Sequence, residues 1–200
     1  APAYFPWNFY VAGVTSMSVD LHKYGYTAKG AGVIIYANKE LRNHQTFFTD
    51  NWLGGMYGSS GILGTKSGGP IASAWAMVQY FGHDGYRDLA LTARKVALEI
   101  ARHIDAIPEL VLRAEPDTTL LCIGAKDPQT LPIFSVSRAL RKIGWYVDEQ
   151  TPPDSIHLTV NVVHENRVAE FVADLKAAVQ LALNDAASTT SSAPLPYGSV

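Results

Sequence analysis

The chain of 200 residues is long enough for one domain, or for the end of a large domain joined to a small one. Its composition is 48% hydrophobic and 17% charged, with a mean hydropathy of +0.03, which excludes wholesale disorder, collagen and a coiled coil. The formal net charge of -2 provides no basic field for nucleic acid, and no run of 18 apolar residues is present to cross a membrane.

The start of the chain and its one cysteine bear on its origin. The chain begins with Ala1-Pro2 and has neither the basic start nor the apolar stretch of a signal peptide, so we expect a cut made inside a longer protein. Cys122 can make no internal disulfide, and its neighbours Leu121 and Ile123 predict a core thiol. Such cysteine usage fits a reducing compartment, and we expect a cytoplasmic protein, with a membrane anchor upstream left open.

The first predicted elements are two strands. Residues 14–20 alternate polar and apolar side chains, and residues 31–36 are mostly apolar. A polar, glycine-containing turn at residues 22–30 lies between them. The pattern predicts a hairpin-like pair at the edge of a larger sheet.

Residues 51–70 form a glycine-rich segment that contains Gly54, Gly55, Gly58, Gly61, Gly64, Gly68 and Gly69. This density of glycine is too high for a helix or strand throughout. A flexible linker lacks large apolar anchors, whereas this segment carries Trp52, Tyr57 and Leu63. We therefore expect an ordered functional or interface loop.

Two helices follow. Residues 70–81 carry little charge, which is typical of a buried helix. A second, long helix begins at its N-cap Asp84, has apolar residues at helical spacing, and ends before Pro108. The remaining elements are strands at 110–112 and 118–123, a helix at 132–143, strands at 145–148 and 155–161, and a helix at 167–183. Together these predict a small α+β domain with helices on one face of a mainly antiparallel sheet.

The residues with the clearest chemical potential are His22 and Lys23, which follow the first strand. A lysine that is desolvated, or set near another cation, can form a Schiff base near neutral pH. The adjacent histidine can bind a phosphate. Chemistry alone leaves open the alternative that Lys23 is a solvated turn lysine.

An ordered series of residues around Lys23 resembles the pyridoxal-phosphate lysine motif of the group II decarboxylases. Within that family the sphingosine-1-phosphate lyase branch is the most similar. The series comprises Ser16-x-Ser18-x-Asp20-x-His22-Lys23-Tyr24-Gly25-Tyr26-x-x-Lys29-Gly30, Tyr36, Leu41-Arg42, Trp52-x-Gly54-Gly55-x-Tyr57-Gly58-Ser59, Trp75, Gly82-x-x-Gly85-Tyr86, Gly144-Trp145 and Pro152-x-x-x-Ile156-His157. The match covers nearly everything from residue 9 to residue 183, and its order and spacing make it specific.

The resemblance implies an α/β fold, the C-terminal part of a fold-type I PLP-dependent transferase fold. Residues 1–83 are then the end of the PLP-binding large domain, with the lysine motif and the glycine-rich loop. Residues 84–184 form the small C-terminal α+β domain, and residues 185–200 are a disordered tail. Pyridoxal 5'-phosphate is the implied cofactor, and a small-molecule amine or amino acid is the implied substrate.

The resemblance also implies roles for single residues. Lys23 is the catalytic residue that forms the Schiff base, and His22 lies near the cofactor phosphate. In a homodimer with shared active sites, Tyr57, Gly58 and Ser59 reach the phosphate or substrate region of the neighbouring subunit. The family places the residues that stack on and pair with the pyridine ring before the lysine. Asp20 is therefore expected to be a local structural carboxylate, and the chain alone is expected to be inactive.

Three functions stay open. Branch similarity favours retro-aldol cleavage of a phosphorylated amino alcohol. Where these lyases commonly carry Gly-Ser-Arg-Pro-Gly, this chain has the segment 64–68, Gly-Thr-Lys-Ser-Gly, which leaves amino-acid decarboxylation as an alternative. The third is a non-catalytic partner or dimerisation fragment. His157 alternates with its apolar neighbours and is expected at a surface or cleft wall, and the other histidines lack metal-ligand spacing.

Overall fold

The computed structural model describes residues 6–186 and contains two compact units. The first unit ends at Tyr86 and the second begins at Arg87. The last helix runs to Ala186, and the tail predicted from the sequence otherwise lies outside the described residues. Within the described part of the chain, no helix combines the length and the apolar character needed to cross a bilayer.

The first unit contains two antiparallel hairpins. Strand β1 (Ser16–Asp20) pairs with β2 (Gly32–Tyr36), as predicted, in a register that sets Asp20 opposite Gly32. A short helix, α1 (Lys39–Asn43), follows, with the Asn38 side chain as its N-cap. Strand β3 (Phe47–Thr49) pairs with β4 (Tyr57–Ser59). Helix α1 and this second hairpin were not predicted, and β4 lies inside the glycine-rich segment.

Helix α2 (Gly68–Asp105) is broken by a kink at Gly82, whose φ of 57° lies in the left-handed region. The kink falls between the two helices predicted from the sequence. The prediction that the first of them is buried is wrong for this chain: Ile71, Trp75 and Val78 are 54%, 68% and 47% exposed. The low charge of this helix therefore marks an apolar surface and not a packed core.

The second unit is a four-stranded antiparallel sheet with helices packed on it, as the sequence predicted. The strands are β5 (Leu110–Leu112), β6 (Leu120–Ala125), β7 (Asp148–Gln150) and β8 (Ser155–Thr159), in the spatial order β5-β6-β8-β7. The helices are the second half of α2, α3 (Ile133–Lys142) and α4 (Val168–Ala186), which a 3-10 turn at Val162–Arg167 precedes.

The strand predicted at 145–148 begins only at Asp148. The backbone N–H of Trp145 instead donates to the carbonyl of Leu140 at 3.0 Å and closes the end of α3. The Arg141 guanidinium donates to the carbonyl of Val147 at 2.8 Å. Trp145 thus satisfies a free carbonyl at the end of the helix, and the carbonyl of Val147 accepts from a side chain of the helix and not from the sheet.

Alternation along β6 and β8 separates the two faces of the sheet. Leu121, Ile123 and Ile156 face the helices and are at most 1% exposed. Cys122 lies on the opposite face, where it is half-buried, and its sulfur contacts the Gln150 side chain at 3.8 Å. The prediction of a core thiol is therefore wrong, because apolar neighbours along a strand point to the other face.

Candidate functional site

The lysine predicted to be catalytic lies in a tight turn directly after β1. Its backbone N–H donates to the carbonyl of Asp20 at 3.1 Å, and its own carbonyl accepts from Tyr26 N–H at 3.1 Å. The N–H of Thr27 then donates to the carbonyl of Leu21 at 3.3 Å. Three successive backbone hydrogen bonds therefore fix the position of Lys23 at the end of the strand.

The side chain of Lys23 contacts a carboxylate three residues before it. Lys23 Nζ lies 3.1 Å from Asp20 Oδ2, and the two side chains are 65% and 49% exposed. Asp20, which the sequence suggested as a local structural carboxylate, is thus the direct partner of the amine. At this exposure the pair adds little to stability, and its effect is to orient the amine. His22 beside it is half-buried.

Helix α2 holds the turn from its outer side. The Tyr86 hydroxyl donates to the carbonyl of Gly25 at 2.9 Å, and the ring of Phe81 lies 6.1 Å from that of Tyr26. The Ala28 N–H donates to the Ser73 hydroxyl at 3.4 Å. Helix α2 therefore anchors the part of the turn that follows the lysine.

Gly25 makes this turn possible. A Cβ atom at Gly25 would lie 2.3 Å from the carbonyl oxygen of Leu21, a distance that only a backbone shift can relieve. We expect Gly25→Ala to destabilise the first unit by about 1–3 kcal/mol and to displace Lys23. Urea unfolding measures the first effect, and attachment of pyridoxal phosphate to Lys23 measures the second.

Gly32→Ala is the matched control for Gly25→Ala. Gly32 lies on β2 with open space around its Cβ position, so we expect nearly unchanged stability and cofactor attachment. Equal effects of the two substitutions would contradict the role given to Gly25.

The raised pKa of Tyr26 indicates how the stability of the turn depends on alkaline pH. Its φ is 55°, and burial, followed by the nearby Tyr24, raises the pKa of its phenol above the usual 10.0. The folded state holds this proton more tightly than the unfolded state does. The contribution of Tyr26 to stability is therefore complete below about pH 10 and is lost as the pH rises through the raised pKa.

Above about pH 10, we expect the free energy of unfolding of the first unit to fall more steeply in the wild-type protein than in Tyr26→Phe, because phenylalanine cannot ionise. Urea unfolding at a series of pH values measures the difference. Tyr10→Phe, at a side chain that is 91% exposed, should follow the wild-type curve. A Tyr26→Phe profile equal to the wild-type profile would refute the assignment.

The other three predicted site residues lie on the second hairpin. Tyr57, Gly58 and Ser59 are β4, and the Tyr57 ring lies 5.9 Å from that of Trp52. A Cβ atom at Gly58 would lie 2.7 Å from the ring of Phe48, so the cross-strand pair requires glycine here. The Ser59 hydroxyl donates to the carbonyl of Gly61 at 2.6 Å. The segment is therefore an ordered element, as its aromatic anchors predicted.

The five predicted site residues form two separate groups. His22 and Lys23 share the turn after β1, where the side-chain contact of Lys23 is with Asp20. The β4 residues contact β3 and their own loop, and Tyr57 and Ser59 line an open groove of about 600 Å³. Ile34, Tyr36, Gln45, Phe47, Gly61 and Ile62 complete its walls.

Sequence reasoning missed the contacts that α2 makes with the turn. The Tyr86 hydroxyl reaches a carbonyl 61 residues away in the chain. No local pattern joins positions so far apart, although Tyr86 belongs to the motif series. The sequence likewise indicated only that Pro70 begins a helix. In the structure the Pro70 ring packs against Gly30, and a Cβ atom at Gly30 would lie 2.9 Å from it.

The residues present fit part of a pyridoxal phosphate site. The exposed primary amine of Lys23 is the group that an aldehyde cofactor needs, and an aldehyde can reach it from solvent. His22 beside it can donate to a phosphate. Within residues 6–186, no three His, Cys, Asp or Glu side chains converge to hold a metal ion. The turn thus offers an amine to an aldehyde and an imidazole to a phosphate.

The fold defines the class of protein first. The chain has the fold of the C-terminal part of the fold-type I PLP enzymes. A glutamate decarboxylase from Lactobacillus brevis superposes with a TM-score of 0.73 at 21% identity, over 93% of this chain and 44% of that one. At that identity the likeness concerns the fold alone.

The sequence narrows the relationship further: the chain is homologous to part of the sphingosine-1-phosphate lyases. It is 37% identical over 174 residues to the lyase of Oryza sativa subsp. japonica, covering 87% of this chain and 32% of that protein. The solved lyase of Burkholderia pseudomallei K96243 has a TM-score of 0.84 at 33% identity, over 94% of this chain and 42% of that one. The chain thus spans about a third of the length of the curated relatives it matches. No family model matches it.

Proposed function

We propose that this chain is part of a PLP-dependent carbon–carbon lyase that cleaves a phosphorylated amino alcohol by a retro-aldol reaction. The products are an aldehyde and a phosphoethanolamine-like amine. One observation carries the proposal: Lys23 stands exposed and fixed in the Asp-x-His-Lys turn of a chain homologous to sphingosine-1-phosphate lyases. Pyridoxal phosphate, when bound, supplies an acceptor for the electrons of the bond broken at the substrate Cα.

Lys23 has two tasks in this proposal. Its Nζ would hold the cofactor, and as a free amine it would take or give a proton at the reacting carbon of the substrate. Asp20 holds Nζ at 3.1 Å on one side of the turn. It thereby restricts where the amine points before the cofactor is attached. His22, the residue before Lys23, would donate to the cofactor phosphate.

The exposed state of the lysine bears on the activity of the chain alone. A nucleophilic lysine needs partial desolvation or a neighbouring cation, and here the amine is open to water and faces a carboxylate. In the family that the chain resembles, the residues that stack on and pair with the pyridine ring precede the lysine, and the described residues before Lys23 carry no such set. We therefore expect the chain alone to be inactive with added cofactor and substrate.

The β4 hairpin is proposed to complete the active site of a second subunit. Its site residues Tyr57, Gly58 and Ser59 lie apart from the Lys23 turn, beside an open groove. Large apolar side chains of the same unit are exposed, among them Trp52 at 61% and Trp75 at 68%. Exposed apolar surface of this kind is typical of a protein interface. A homodimer with shared active sites would cover it.

The decisive experiment uses the longest natural reading frame that contains this chain. The protein is incubated with pyridoxal phosphate, reduced with borohydride to fix the cofactor as a secondary amine, digested, and mapped by mass spectrometry. We expect the pyridoxyl group on Lys23. A folded, full-length protein without an adduct would overturn the enzyme and favour the non-catalytic partner fragment.

Substrate assays then separate the two reactions. Release of a long-chain aldehyde from a phosphorylated long-chain base supports the retro-aldol lyase. Release of carbon dioxide from acidic or aromatic amino acids, with no aldehyde, would replace it with the decarboxylase. Lys66, in the segment that departs from the lyases, keeps a positive charge for a substrate phosphate but lacks the planar fork of arginine.

A further inference from the structure

A cavity in the second unit lies at the edge of the sheet, remote from the lysine turn in sequence and independent of it. Strand β7 pairs with β8 only as far as Asp148 opposite His157, so the end of β8 has an uncovered edge. The cavity of about 160 Å³ lies there. A cavity of about 150 Å³ in another protein holds one benzene molecule, so this one has the size of a single six-membered ring.

The walls of the cavity are largely apolar and aromatic. The Trp145 ring packs against Phe171 at 5.1 Å, and its Nε1–H donates to Asp174 at 2.7 Å. Ile100 and Val160 add aliphatic surface. Trp145 is therefore held rigidly from both its face and its edge, and a ring that enters the cavity meets a preformed wall.

Two polar side chains that line the cavity can hydrogen-bond a ligand. One is His157, whose Nδ1 is buried and forms no hydrogen bond. An N–H group that is buried without an acceptor costs more free energy than a buried nitrogen lone pair. We therefore place the ring proton of His157 on Nε2, which is then a hydrogen-bond donor. The carboxylate of Asp148, directly opposite on β7, is an acceptor.

The charges of the cavity argue against an ionic ligand. The Arg167 guanidinium donates twice to the Glu170 carboxylate, and one of these contacts joins Nη2 and Oε1 at 2.8 Å. The same guanidinium lies over the Trp145 ring, with its central carbon 5.3 Å from the ring centre. The Tyr146 ring is covered in the same way by Arg141 at 4.8 Å. A cation therefore finds the aromatic faces occupied, and an anion meets the carboxylate of Asp148.

We infer that this cavity binds a small neutral ligand consisting of one apolar ring with a hydroxyl group. The ring occupies the space beside Trp145. The hydroxyl oxygen accepts from His157 Nε2–H while its proton goes to Asp148. One hydroxyl thus uses a donor and an acceptor that line the same cavity.

The test follows phenol binding by 19F NMR in the full-length protein labelled with 5-fluorotryptophan. The Trp145 resonance is assigned as the one missing from Trp145→Phe. We expect phenol to shift it saturably with a Kd in roughly the millimolar range, and toluene, which lacks the hydroxyl, to bind about tenfold more weakly. No shift at phenol concentrations that leave the protein folded would overturn the site, and equal affinities would overturn the hydroxyl recognition.

Two variants test the polar groups. In His157→Leu and in Asp148→Val, phenol should bind no better than toluene. His103→Gln, at an exposed histidine on α2, should keep the wild-type preference. Retained preference in both cavity variants, each with native-like dispersion of the other resonances, would overturn the assignment. Borohydride labelling of Lys23 in the same samples reports the proposed enzyme separately, so failure of one proposal does not imply failure of the other.

Discussion

Lys23→Ala is expected to abolish both cofactor attachment and turnover in the full-length protein. The ε-amino group of Lys23 forms the covalent link in this proposal, and no other residue of the Asp-x-His-Lys segment, residues 20–23, carries a primary amine. Loss of a covalent catalytic group lowers kcat by about a thousandfold or more. The absorbance of the bound cofactor and the rate of aldehyde release measure the two losses.

Lys29→Ala is the control for this substitution, because Lys29 is an exposed lysine of the same turn region. It should keep the adduct on Lys23 and most of the activity. Asp20→Asn is a further comparison. It removes the charge that orients the amine and should lower kcat while leaving attachment intact. Unchanged colour and activity in Lys23→Ala would eliminate the proposed enzyme outright.

The position of the lysine turn was predictable because its signals are local. An alternating strand, a polar turn with Gly25, and a second apolar strand specify the β1–β2 hairpin from neighbouring residues alone. The pairing of Lys23 with Asp20 spans only three positions, yet it was not predicted. A carboxylate near a lysine is common in turns, and sequence spacing alone does not determine which rotamers bring the two together.

Burial and cross-chain contact were much less predictable. The uncharged helix at residues 70–81 has the composition of a core helix, but Ile71, Trp75 and Val78 remain about half or more exposed. An apolar composition indicates that a helix face is more stable when another surface covers it. Whether such a surface is present depends on the other elements and chains around the helix. The same holds for β3 and β4: each has three residues, too few for alternation to stand out from the glycines around them.

The second unit was predicted best, since its helices and strands bury their own apolar faces. His157 shows the limit of that success. Alternation along β8 placed its side chain away from the core face, where the structure has it, and a cleft wall was one of two expected settings. The cavity itself depends on where β7 stops, and residues 145–147 leave the sheet only because they close the end of α3.

Leu121→Ala is expected to destabilise the second unit by about 3 kcal/mol. Leu121 is 1% exposed on the helix-facing side of β6, opposite Leu158. Removing its branched end loses the transfer free energy of the removed atoms. It also leaves a cavity, which lowers the free energy of unfolding further because the surrounding core cannot close around it. Leu120, the adjacent residue, is 49% exposed on the other face, so Leu120→Ala should cost less than about 1 kcal/mol. Urea unfolding followed at the Trp145 fluorine resonance compares the two, because Trp145 packs within this unit. Equal losses would contradict the assignment of Leu121 and Leu120 to opposite faces, and a larger loss in Leu120→Ala would mean that the sheet presents the other face to its helices.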